Sequence, residues 1–143
     1  MKETVIVLGS RRYTDSVETA AVLDVLHEHI GFNNVLVPLE LGAPSAVLGW
    51  AMNKEGVTVD IFHDADRFLG NDAAEPIVAD LLHEVGGGFH GVLLFMPGHY
   101  WSNPEETLCP STSAAAEAFD KAGLKIIRLD HWMIEGLLDK DRQ

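Results

Sequence analysis

The sequence predicts an α/β fold: a single three-layer, doubly wound Rossmann-like domain with about five parallel strands. Three observations carry that expectation. Short β-branched or bulky apolar runs alternate with segments of helical period along the whole chain. Most of those runs are apolar at successive positions, as expected where helices cover both faces of a parallel sheet. No linker, repeat or low-complexity block interrupts the alternation, and 143 residues suit one domain, which buries roughly 68–70% of the surface its unfolded chain exposes.

The elements follow in order. Val5-Ile6-Val7-Leu8 is the first strand, closed by Gly9-Ser10. Asp15 with Glu18 makes a capping box, and Val22, Val25, Leu26 and Ile30 recur at helix spacing until Gly31. Val35-Leu36-Val37 is the second strand. Pro44 opens the second helix at an early position where a missing amide hydrogen costs nothing. Its stripe is Val47, Leu48, Ala51 and Met52, before Gly56. Val57 to Phe62 is the third strand. Ile77, Val78, Leu81, Leu82 and Val85 stripe the third helix, stopped by Gly86-Gly87-Gly88. Val92 to Phe95 is the fourth strand, Ala115, Ala118, Phe119 and Ala122 mark a fourth helix ending at Gly123, and Lys125 to Leu129 is the fifth strand. A short helix from Trp132 to Leu138 completes a domain spanning 1–138, with 139–143 as a polar tail.

Charge and composition exclude several functions. Ten Lys plus Arg against twenty-two Asp plus Glu give a formal charge of −12. Such a chain repels polyanions unless its basic residues cluster, and the one adjacent pair of arginines is Arg11-Arg12, so neither duplex nucleic acid nor an anionic membrane is an expected partner. With Cys109 as the sole cysteine, no intramolecular disulfide and no cysteine-based zinc site can form. The amino terminus lacks the apolar length of a signal peptide and no stretch reaches about 20 apolar residues, so a cytoplasmic location is expected. Dimerisation is expected from the large apolar groups Trp50, Trp101 and Trp132.

In doubly wound folds ligands bind beyond the carboxyl ends of the strands, where helix amino termini also point. There the sequence places Gly9-Ser10-Arg11-Arg12, a turn between strand and helix that reads as an anion cradle. Glycine permits close approach, the helix terminus offers amide hydrogens, and arginine forks around phosphate or carboxylate oxygens. Gly42 and Ser45 stand at the second such junction. The fourth strand leads into Met96-Pro97-Gly98-His99-Tyr100-Trp101, whose aromatic pair can stack a nucleobase while His99 hydrogen-bonds it. Ser111, Thr112 and Ser113 then stand at a helix start, where hydroxyls both cap and hold phosphate. His63, Asp64 and Asp66 do not make three ligands of fixed geometry, and His27 and His29 cannot share a helix face. No metal is expected, and no cofactor.

These residues carry a resemblance. Gly9-Ser10-Arg11 with Tyr13-Thr14, Gly42-Ala43-Pro44-Ser45 through Trp50-Ala51, Ala65-Asp66-Arg67-Phe68-Leu69-Gly70 with Ala74-Glu75-Pro76-Ile77, Pro97-Gly98 and Ser111-Thr112-Ser113 together resemble the SLOG superfamily over residues 5–129. That group includes the DNA-processing protein DprA, LOG-type nucleoside-monophosphate phosphoribohydrolases and YspA-like proteins, the last being the most similar. The resemblance implies a site for a nucleotide or nucleotide-derived sugar phosphate, with Ser10, Arg11 and Ser111 to Ser113 on the phosphate and His99 to Trp101 on the base or ribose. Its YspA-like members carry Gly-Gly-x-x-Gly-Ala-Asp where this chain has Leu39-Glu40-Leu41-Gly42-Ala43-Pro44, a typical Arg-Asn pair is replaced by Val78-Ala79, and the phosphate loop of the LOG enzymes is expanded around Pro97-Gly98-His99. Together these departures weigh against turnover more than against binding. The enzymatic alternative implied by LOG-like hydrolases and deoxyribosyltransferases is an N-glycosidase whose catalytic carboxylate is Glu117, with Glu40 and Asp66 as substitutes. Glu117 lies one helical turn from Ser113. A degenerate-fold protein-interaction module is the third reading.

Overall fold

The computed structural model describes residues 2–9, 16–38, 43–62, 74–96 and 110–142. Five strands, β1 (Glu3–Gly9), β2 (Asn34–Pro38), β3 (Thr58–Phe62), β4 (Gly88–Phe95) and β5 (Ile126–Leu129), alternate with five helices, α1 (Ser16–Ile30), α2 (Ala43–Met52), α3 (Ala74–Val85), α4 (Pro110–Lys121) and α5 (His131–Arg142). All strand pairs are parallel and the sheet order is β3-β2-β1-β4-β5.

Strand period explains how a continuous apolar run serves two cores. Successive side chains point to opposite faces. Val5, Val7, Val35, Val37, Leu93, Phe95 and Leu129 therefore meet Val22, Leu23 and Leu26 of α1, Val47 and Ala51 of α2, and Ile134 of α5. Their neighbours Ile6, Leu8, Leu36, Phe62, Val92 and Leu94 meet Val78, Leu81 and Val85 of α3 and Ala115, Ala118 and Phe119 of α4. The central strands are almost wholly buried, whereas β3 and β5, at the edges, are partly exposed. The chain steps outward from β1 to β3 with helices on one face, then returns through β4 and β5 with helices on the other. Reversing both direction and face keeps one crossover hand.

Element existence and order match the expectation, while several boundaries shift for identifiable reasons. The strand β4 begins at Gly88 rather than Val92, since Phe89-His90-Gly91 pairs beside β1 despite lacking an apolar pattern. Register slips between Thr4 and Val5, and Gly91 sits there at φ 138° with the Lys125 carbonyl oxygen 2.8 Å from where a Cβ would stand. Only glycine fits that crossing. Helix α4 begins at Pro110, which puts Ser111, Thr112 and Ser113 in its first turn. Proline is favoured at that opening position. Helix α5 continues past Leu138 to Arg142, taking in residues 139–142 that the sequence pattern leaves to a tail. The expected cap Asp15 lies outside the described residues.

A polar network closes the amino edge of the sheet. Thr4, Asn34 and Thr58 are in register across β1, β2 and β3. Asn34 is fully buried; its Nδ2 donates to Thr4 Oγ1 at 3.0 Å and to Asp60 Oδ2 at 2.9 Å, and its Oδ1 accepts from Thr58 Oγ1 at 2.7 Å. Lys2 Nζ donates to the same Asp60 oxygen at 2.9 Å. On the neighbouring strand pair, His90 Nε2 stands 2.7 Å from Glu3 Oε2. Buried polar groups persist only when satisfied, and the partners of Asn34 sit on the adjacent strands β1 and β3. The network thus fixes register.

Candidate functional site

The carboxyl edge is set by strand order. β1 and β4 are neighbours although far apart in sequence, with Gly9 opposite Phe95. From that pair the chain leaves in opposite directions, toward α1 on one face and α4 on the other. This is the switch point of a doubly wound sheet, the place at which such folds bind their ligands. The amino termini of α1 and α4 follow these two strands, and that of α2 follows β2. The positive dipole ends of these helices favour negative charge there.

The structure divides the expected site residues between the two faces. Gly9 is buried at the tip of β1. Ser45, exposed in the first turn of α2, joins Ser16 and Ala20 of α1, Trp50 of α2 and Asn53 just beyond that helix in a cleft of about 430 Å³. On the opposite face Ser113 and Glu117 line a second cleft of about 480 Å³ with Asp120 and Arg128, over a floor of Leu94, Ala116 and Ile126. Thr112 is 2% exposed and faces the core side of α4, so of these two neighbouring hydroxyls it is Ser113 that opens to solvent. Ser111 belongs to the first turn of α4. Ser10, Arg11, Arg12, Gly42, Pro97, Gly98 and His99 lie outside the described residues, as do Glu40, His63, Asp64, Asp66, Tyr100, Trp101 and Cys109.

Helix period accounts for the second cleft. Ala115, Ala118 and Phe119 turn inward, which leaves Ser113, Ala116, Glu117 and Asp120 on the other side of α4. The carboxylate of Glu117 is 67% exposed and pairs with Lys121 Nζ at 3.2 Å, one turn further along. Arg128 reaches this cleft because strand alternation puts it on the α4 face with Ile126. Asp120 and Arg128 are absent from the sequence-based candidates. The available signal was a lone arginine inside the otherwise apolar run Ile126-Ile127-Arg128-Leu129.

The first cleft is held by an aromatic and charged cluster between α1 and α2. The His27 ring meets Phe32 at 5.0 Å and Trp50 at 5.9 Å, both edge to face. Trp50 Nε1 donates to Asp24 Oδ1 at 3.0 Å, and Lys54 Nζ donates to the same oxygen at 3.1 Å. Partial burial pulls the Asp24 carboxyl upward and is the largest single influence. The hydrogen bonds from Trp50 and Lys54 and the positive charges of Lys54 and His27 together outweigh it and hold the group below its ordinary value near 3.8. Trp50, one of the tryptophans expected at a dimer interface, is thus half-buried against the core, while Trp132 is 67% exposed.

Among the described residues no group of three His, Cys, Asp or Glu side chains is placed to hold a metal ion, and no helix is long and apolar enough to cross a membrane. No family model matches the chain, and neither a curated protein nor a solved structure matches it.

Proposed function

We propose that this protein binds a nucleotide or nucleotide-derived sugar phosphate at the carboxyl edge of its sheet, as a cytoplasmic sensor, carrier or sequestering protein. The supporting observation is the β1–β4 adjacency, with Gly9 opposite Phe95 and helices departing to opposite faces. In sequence Ser10-Arg11-Arg12 follows one of these ends and Pro97-Gly98-His99 the other, so the residues resembling the SLOG motifs come after neighbouring strands. In a chain of net charge −12, two consecutive arginines behind a glycine turn are where an anion finds compensation. Thermal unfolding with a panel of nucleoside mono- and diphosphates and ribose 5-phosphate tests the reading. A ligand-dependent rise in Tm that disappears in Arg11→Ala is expected; no rise with any member of the panel overturns it and favours a protein-interaction module.

The placement of Glu117 favours a second reading. Together with Ser113 and Arg128 it lines a cleft of about 480 Å³, an arrangement compatible with a carboxylate stabilising a developing sugar cation in N-glycosidic hydrolysis. Its 67% exposure and its pairing with Lys121 are also those of an ordinary helix-surface glutamate, so binding without turnover ranks first. Release of free base from nucleoside monophosphates, abolished in Glu117→Ala, would establish the hydrolase; binding with no release would eliminate it.

A further inference from the structure

The sheet has two edges with different chemistry. The β5 edge carries Arg128 and is flanked by Glu117, Asp120 and Lys121 of α4. Charged side chains of this kind discourage strand addition. Among the described residues the β3 edge has no such guard. Its sequence is Thr58-Val59-Asp60-Ile61-Phe62, and its one charge, Asp60, is neutralised by Lys2 at 2.9 Å and hydrogen-bonded by Asn34 at 2.9 Å.

Backbone direction completes the contrast. Thr58 N–H donates to the Asn33 carbonyl at 2.9 Å, so Thr58, Asp60 and Phe62 turn their backbone groups toward β2. Alternation then directs the N–H and C=O groups of Val59 and Ile61 outward, where no strand pairs among the described residues. The side chains of Val59 and Ile61 share the face covered by α2, and Ile61 is 41% exposed. Met52, the last residue of α2, is 81% exposed.

We propose that the β3 edge is a dimer interface occupied by a second copy of this chain, paired antiparallel about a two-fold axis at Asp60 to give a continuous ten-stranded sheet. The choice of occupant follows from charge. A molecule of net charge −12 repels its own copies almost everywhere, so self-association requires a locally neutral contact, and the described residues of this edge, with Asp60 paired to Lys2 and Val59 and Ile61 as its apolar positions, are neutral and self-complementary. In that register Val59 of each copy lies opposite Ile61 of the other, so the outward N–H and C=O groups are satisfied reciprocally and two apolar cross-strand pairs form. The two Asp60 carboxylates face each other across the axis, each already held by its own Lys2.

Light scattering after size exclusion, with hydrogen exchange on the intact wild-type protein, tests the proposal. The expected result is a dimer in which the Val59 and Ile61 amides are protected, and a folded monomer with fast exchange at both amides for Ile61→Lys. Three results would overturn it. A monomer with fast Val59 and Ile61 amides leaves the edge open to water. A monomer with both amides protected shows that another segment of the same chain covers the edge. A dimer in which these amides exchange fast places the interface elsewhere. The wild-type exchange data decide the matter even if the lysine variant fails to fold.

Discussion

Replacing Asn34 by alanine isolates what the amino-edge network contributes. The side chain is fully buried and makes three hydrogen bonds, to Thr4 Oγ1, Asp60 Oδ2 and Thr58 Oγ1. Thr4 is also fully buried, so its hydroxyl loses a partner that water cannot replace. Neutral hydrogen bonds contribute about 1 kcal/mol net and those to a charged group about 1.5–3 kcal/mol, while an orphaned buried group costs about 1–3 kcal/mol. Asp60 retains Lys2, which limits its share. The expected loss is about 2–4 kcal/mol, read from urea unfolding as a lower midpoint at unchanged slope, or as a fall in Tm of roughly 5–15 °C for a domain of this size. Affinity for a ligand at the carboxyl edge should be unaltered, because the network lies at the opposite end of the strands. A stability loss under about 1 kcal/mol would refute the reasoning, as would a large change in ligand affinity with little change in stability.

Three other substitutions probe separate parts of the fold. Phe119→Ala removes a fully buried ring between α4 and the sheet and should cost about 3–5 kcal/mol in the same unfolding assay. Gly91→Ala must place a methyl group 2.8 Å from the Lys125 carbonyl oxygen at φ 138°, so a loss above about 1 kcal/mol and perturbed amide shifts along β4 and β5 are expected. Asp24→Asn tests the depressed carboxyl. A group whose folded value lies below its unfolded one stabilises the protein above the unfolded value, and that contribution fades as pH falls through the folded value. The wild-type advantage should therefore be constant above about pH 5 and vanish in acid, staying under about 1 kcal/mol because the pair is half exposed.

The layer architecture was legible because its signal is collective. Runs such as Val5 to Leu8 and Val92 to Phe95 need apolar partners on both sides, and the helical stripes between them provide those partners. What remained hidden depends on pairs distant in sequence. Nothing local to Asn34 indicates that Thr4, Thr58 and Asp60 will surround it, because that requires the order β3-β2-β1 and its register. Gly86 to Gly88 read as a helix stop and Phe89 to Gly91 carry no apolar pattern, yet pairing with β1 carries the strand back to Gly88. At the candidate site, the shared face of Ser113 and Glu117 follows from helix period, whereas Arg128 joins them through the packing of α4 over β5. Ser113 and Ser45 fall on opposite faces because their helices follow strands on either side of the switch point.

Binding at the carboxyl edge is tested most directly by where a ligand touches the sheet. An amide-resolved NMR titration with a nucleoside monophosphate should move the resonances of Gly9, Ser16, Phe95, Met96 and Ser113 while leaving those of Asn34, Thr58 and Gly88 in place. Saturating shifts confined to the amino edge, or none anywhere at millimolar ligand, would contradict it.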